Sequence, residues 1–294
     1  MNMSIHVRGI LAVILVSLFA SGGCVSYRHG WQMKPAQSFN GSPSVMELAE
    51  RMEQTAATDD QVEDLIDELK TIRRTYGENS ALLTKLARSY LAMAVAYARD
   101  MPEQGEFLRL SMMYSEAALM QNPRFAAMIE SMGSDHGTVA AAVAAGSVGS
   151  EEAWTLATWA LASLMYYEEC TSEVLKIRHR DTMLADIVTV INAISSVGGD
   201  EVKPLALALK GVAVAVRPKA KMVMAVPDFD AAVQAAPDSI LVRWLQAKYL
   251  FANFGDKVSL AAAISQIKEI DLNSAGGFKP LNRAIRVSLE KPKR

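Results

Sequence analysis

From Ser44 almost to its end, this chain repeats one pattern: an apolar stripe at helical spacing, then a capping residue, glycine or proline that stops it. A period of 3.6 kept through segment after segment commits each to burying one face on a neighbouring helix. Val45, Leu48, Ala49 and Met52 fall at i, i+3, i+4 and i+7. Val62, Leu65, Ile66, Leu69 and Ile72 repeat the stripe, with Asp59 or Asp60 placed to cap it and Gly77 to stop it. Further helices are expected over 81–99, closed before Pro102, and over 105–121, closed by Asn122-Pro123. Shorter ones follow at 125–132 and 138–145, and long ones at 151–177 and 181–197, the last ended by Gly198-Gly199. The rest span 203–216, 228–236, 239–253, 258–270 and 280–289. No Asn-Gly or similar turn joins two alternating segments, so no hairpin is expected. The fold class is all-α, with helices paired antiparallel across short turns.

Two pairs are similar to tetratricopeptide repeats. Tyr114, Ala117, Leu119 and Asn122-Pro123 have the aromatic, small and Asn-Pro spacing of such a repeat's second helix. Phe229, Ala232 and Pro237 echo it. Small residues there let two helices approach closely. The spacing from Pro123 to Pro237 is no multiple of about 34 residues, which excludes a regular array. The expectation is an irregular tetratricopeptide-like helical array, an α-solenoid or a set of compact helix pairs.

The N-terminus fixes the compartment. Ile10 to Ala20 is an uncharged apolar run too short to span a bilayer, preceded by His6 and Arg8. Ser21-Gly22-Gly23-Cys24 closes it in the layout of a bacterial lipoprotein signal, apart from Ser21, where such signals usually carry Leu. Residues 1–23 are thus read as a signal peptide and Cys24 as the lipidated residue. Acyl chains at about 0.8 kcal/mol per buried CH₂ would then hold the chain to a membrane, on its periplasmic side. Val25 is non-acidic, which by analogy with lipoprotein sorting favours the inner leaflet of the outer membrane. Residues 24–43, with Gly30, Pro35, Gly41 and Pro43, read as a tether, and 44–291 as the helical domain. Trp31 either packs on the domain or sits near the membrane surface.

A net charge of −2 gives no electrostatic footprint for nucleic acid. With Cys24 acylated, Cys170 is the one thiol left, so the core rather than disulfides holds the fold, and Cys170 reads as a small buried residue. The motifs that carry chemistry are missing: no H-x-x-x-H, no C-x-x-C, no G-x-S-x-G and no phosphate-binding glycine loop. No catalytic residue, metal ligand or cofactor is expected. Asp135-His136 and Arg178 to Asp181 are dense in ionisable groups, but both are read as helix junctions with caps and solvated charges. Glu168-Glu169 reads as a solvated face or a cap.

The aromatics are more informative. Trp154, Trp159, Tyr166 and Tyr167 share the segment 151–177. Trp154 and Trp159 are five residues apart, about 140° around a helix, so one narrow stripe cannot take both. Either this helix is buried on most sides, or it lies between a core and a cavity. Trp154, Trp159 and Tyr166 are the ligand-cavity candidates, with plain core packing as the competing reading.

From about Leu82 onward the chain resembles the T-component of tripartite ATP-independent periplasmic (TRAP) transporters. Ser89-Tyr90 to Tyr97 and Tyr114 to Phe125 resemble that family's early helix pair. Trp154 and Trp159 match its tryptophan helix, although Ala153 stands where the family often has Tyr. Gly211 to Pro218, Trp244 to Gly255-Asp256 and Asn282-Arg283-Ala284 match later helices. The resemblance implies a lipoprotein with a hydrophobic cleft or pore through its helices, which binds or passes a small apolar or amphipathic ligand and docks a periplasmic solute-binding protein. It leaves room for a homo-oligomer and carries over no catalytic residues. The alternative is a helical scaffold lipoprotein for envelope protein contacts, without a ligand.

Overall fold

The computed structural model describes residues 27–133, 136–273 and 278–290, with backbone alone for 173–181. Polar residues just ahead of the apolar stripes set most helix starts. Helix α1 spans Pro43–Thr55, and α2 Asp59–Tyr76, where the Thr58 side chain accepts from the Gln61 N–H. Asn79 caps α3 (Ser80–Ala96), Asp100 caps α4 (Met101–Leu119) and Asn122 caps α5 (Pro123–Met132). Thr138 caps α6 (Val139–Ala144). Each such cap contributes about 1 kcal/mol. Pro102 and Pro123 do not merely end the preceding helix. They stand in the first turn of the next, where a missing N–H costs nothing.

Helix α7 spans Ala153–Met165, α8 Glu173–Val197 and α9 Lys203–Ala215. Met222–Ala235 forms α10, Ile240–Leu245 α11, Lys257–Glu269 α12 and Lys279–Glu290 α13. The expected helix over 151–177 is therefore two. It passes through a wide π turn at Tyr166–Cys170 and restarts at Glu173. As a result Arg178 to Asp181, expected at a junction, lies within the backbone of α8. A second π turn, Gln246–Ala252, continues α11. Among the described residues there is no β-strand, only an isolated bridge between Ser38 and Glu78. No described helix is long and apolar enough to cross a membrane.

The helices pack as expected for an irregular tetratricopeptide-like array. Helix α3 pairs with α4, α9 with α10, and α4 and α8 both lie against α7. Val62, Leu65, Ile66, Leu69 and Ile72 all turn inward from α2. In α1 only Ala49 is buried, and Leu48 is exposed. Tyr114 stacks on Tyr90 across the α3–α4 pair at 5.6 Å between ring centres. In the α9–α10 pair Phe229 and Ala232 are fully buried, and the Phe229 ring lies against Gly211. A β-carbon at Gly211 would come within 2.8 Å of that ring, so the crossing requires glycine there.

The last helix closes the array on its beginning. Helix α13 packs on α3 and α1. Arg283 donates to the carbonyls of Gln54 and Ala56 at the C-terminal end of α1, 2.9 Å for Ala56, where unpaired carbonyls favour a cation.

Candidate ligand-binding site

Helix α7 is apolar almost all round: Leu156, Ala157, Ala160, Leu161 and Leu164 are fully or nearly fully buried. Its two tryptophans are the exceptions, each only partly buried. Their angular separation points them to opposite sides, and each side holds a cavity.

On the first side, Trp154 lines a space of about 440 Å³ between α3, α7, α9, α11 and α13. Leu91, Leu161, Leu205, Val242 and Phe278 give it apolar walls. That volume lies in the range of small-molecule pockets, about 300–1,000 Å³. Arg88 of α3 is its one cationic lining residue among those described. The guanidinium carbon lies 5.2 Å from the Trp154 ring centre and 5.7 Å from that of Phe278. Both distances suit cation–π attraction. Arg88 and Trp154 also line a polar groove of about 730 Å³ on the far side, with Lys85, Asn122 and Glu152. The pair thus forms a partition between a polar and an apolar space. Burial lowers the Arg88 pKa from its ordinary value, and the Glu53 carboxylate opposes that shift. Glu53 is itself paired with Lys85.

On the other side, Trp159 and Tyr166 line a smaller apolar cavity of about 260 Å³, with Met112, Val139 and Ile187. Tyr27 and His29 close it from the N-terminal segment. Glu116 of α4, 1 % exposed, organises this wall. It accepts from the Gly30 N–H at 2.7 Å and from the Trp159 indole at 3.1 Å, and lies 3.3 Å from His29 Nδ1. A buried carboxylate needs such donors to offset its lost hydration. Burial, then the Glu116 charge, raise the Tyr27 phenol well above its usual range.

The three aromatic candidates therefore fall in two places: Trp159 and Tyr166 together, Trp154 apart. Cys24 lies outside the described residues. The part of the expected tether that is described, from Tyr27 on, is bound to the helices. Gly30 is buried so tightly on α4 that a β-carbon would meet the backbone of Met113 and Ala117. Trp31 packs against the core and stacks on His29 at 4.2 Å. Gln37 and Glu78 continue the attachment through a backbone hydrogen bond of 2.8 Å.

Glu169 is no solvated face. It accepts from the Tyr249 hydroxyl at 2.6 Å, Lys248 at 2.8 Å and Gln104 at 3.0 Å, joining the two π turns to α4. Next to it Cys170 is half-buried rather than buried, and burial followed by the Glu169 charge pushes its thiol up to about 11. No group of His, Cys, Asp or Glu among the described residues is placed to hold a metal ion. Arg88, Phe278 and Glu116 were not singled out from sequence. The available signal was a lone charge inside an otherwise small and apolar stripe, Leu86-Ala87-Arg88 and Glu116-Ala117-Ala118.

No protein-family model matches the chain, and no curated protein matches it significantly.

Proposed function

We propose that this chain is a lipid-anchored, periplasm-facing helical protein that binds or passes a small apolar or amphipathic molecule. In this reading it is an accessory component of a TRAP-type solute transport system and docks its solute-binding protein. Cys24 is the attachment point. The observation that supports ligand handling is the placement of α7, whose two tryptophans each line a different apolar cavity. A scaffold has no need of such space, because a filled core is the more stable choice.

Three experiments test the reading. The full-length protein should bind an apolar fluorescent probe, and it should co-purify with a periplasmic solute-binding protein from solubilised membranes. Cys24→Ser should leave the protein soluble in the envelope fraction or unprocessed. Failure of probe binding together with recovery of unrelated envelope proteins would favour the scaffold. A mature Cys24→Ser protein still fractionating with membranes would remove the anchor from the proposal.

A further inference from the structure

Arg88 is a cation with no acid in direct contact: Glu53 acts on it only at longer range and is itself paired with Lys85. Among the described residues it makes no hydrogen bond or ion pair, and its contacts are the faces of Trp154 and Phe278. Two aromatic rings leave the guanidinium N–H donors without a protein acceptor. Arg88 is only partly buried and borders the polar groove, so its donors stay open to water or to the head of a ligand. Arg88 also sits on the partition, with a polar groove on one side and apolar walls on the other. Such a boundary sorts a molecule that has a charged end and an apolar body.

We propose that the Trp154 cavity is a site for an amphipathic organic monoanion, its carboxylate or similar head paired with Arg88 and its apolar body lying along Leu205 and Phe278. This rests on the ligand-handling reading above and sharpens it. The acids around the site decide the charge of the ligand. Glu201 and Asp238 line the cavity, and Glu50, Glu151 and Glu152 the groove. All but Glu152, which is partly buried, are exposed. Water and salt screen such charges within about 8 Å. A single anionic head held on Arg88 escapes them, whereas a second charge at the far end of the body would face Glu201 or Asp238. Monoanions are therefore favoured over dianions of the same length.

The test is a calorimetric titration of the full-length protein in lipid nanodiscs, with empty discs subtracted. Octanoate, octanol, octylammonium and octanedioate are compared. Octanoate should bind about tenfold or more tighter than octanol, the value of a charge-assisted hydrogen bond. It should also exceed octanedioate and octylammonium. Arg88→Gln should bring octanoate down to the level of octanol while octanol is unchanged. Leu241→Trp, which fills this cavity and not the Trp159 one, should abolish both. Equal binding of octanoate and octanol by the wild type overturns the proposal but leaves a ligand-binding protein. Preference for octylammonium or octanedioate overturns it too. If none of the four binds, the ligand-handling reading itself fails. The wild-type comparison decides the matter even if Arg88→Gln does not fold.

Discussion

The Trp159 indole and the Gly30 backbone N–H share one acceptor, the buried carboxylate of Glu116. This ties the helix that separates the two cavities to the N-terminal segment. Glu116→Ala leaves both donors without a partner, at about 1–3 kcal/mol each. The melting temperature should fall accordingly, and hydrogen exchange at Gly30 should quicken sharply. Unchanged protection at Gly30 would show that the segment is held by other contacts.

Trp154→Ala and Trp159→Ala should separate by cavity. Neither tryptophan is fully buried, so each truncation should cost less than the about 3–5 kcal/mol of a core tryptophan. Trp159→Ala should cost more of the two, because it also leaves Glu116 short of a donor. Trp154→Ala should weaken octanoate binding, and Trp159→Ala should not. A large loss of stability in both, without any probe bound by the wild type, would return the helix to plain core packing.

Gly211→Ala tests the close crossing of α9 and α10. Alanine gains about 1 kcal/mol in helix propensity. The added methyl meets the Phe229 ring, which is fully buried and has nowhere to go. Overpacking of this kind costs about 1–3 kcal/mol, so the net change should be destabilising. Phe229→Leu in the same chain should recover part of the loss in a double-mutant cycle.

Tyr249 sets an alkaline limit. Burial, then the Glu169 charge, raise its phenol well above the usual value. Below about pH 10 it is protonated in the folded and unfolded chain alike and adds no pH dependence. Above that the unfolded chain loses the proton first, so stability falls as pH rises towards the folded value. The slope reaches about 1.4 kcal/mol per pH unit for this one group. Denaturant midpoints across pH 9–11 should show a steeper decline for wild type than for Tyr249→Phe. Parallel curves would deny Tyr249 the role.

Much of the architecture was legible because caps and stripes are local. Asn79 sits next to the stripe it starts, and Phe229 and Ala232 are buried where the repeat-like spacing puts them. The cap of α2 lies one residue ahead of the expected pair: Thr58 caps it, and Asp59 and Asp60, expected in that role, stand in its first turn. The π turn at Tyr166–Cys170 was not legible, since its cause is remote: Glu169 is drawn to Tyr249 and Lys248, eighty residues away in the case of Tyr249. The site was half legible for the same reason. Five-residue spacing sends Trp154 and Trp159 to different sides, but Arg88 and Phe278 meet Trp154 only once α13 has folded back on α3. Nothing local in Leu86-Ala87-Arg88 says that the arginine will find aromatic faces and no acid.

The bound N-terminal segment has a geometric consequence for the lipid-anchored form proposed above. Tyr27 is fixed on the helices, so only Val25 and Ser26 separate it from Cys24, three residue steps with a reach of at most about 11 Å. With Cys24 as the attachment point, that leash is short against a compact domain of this length, whose radius of gyration is about 18 Å. The protein would not swing at the end of a string. It would ride with one side held to the bilayer, the mouth closed by Tyr27 and His29 nearest the lipid, and its heading set by the chain rather than by diffusion.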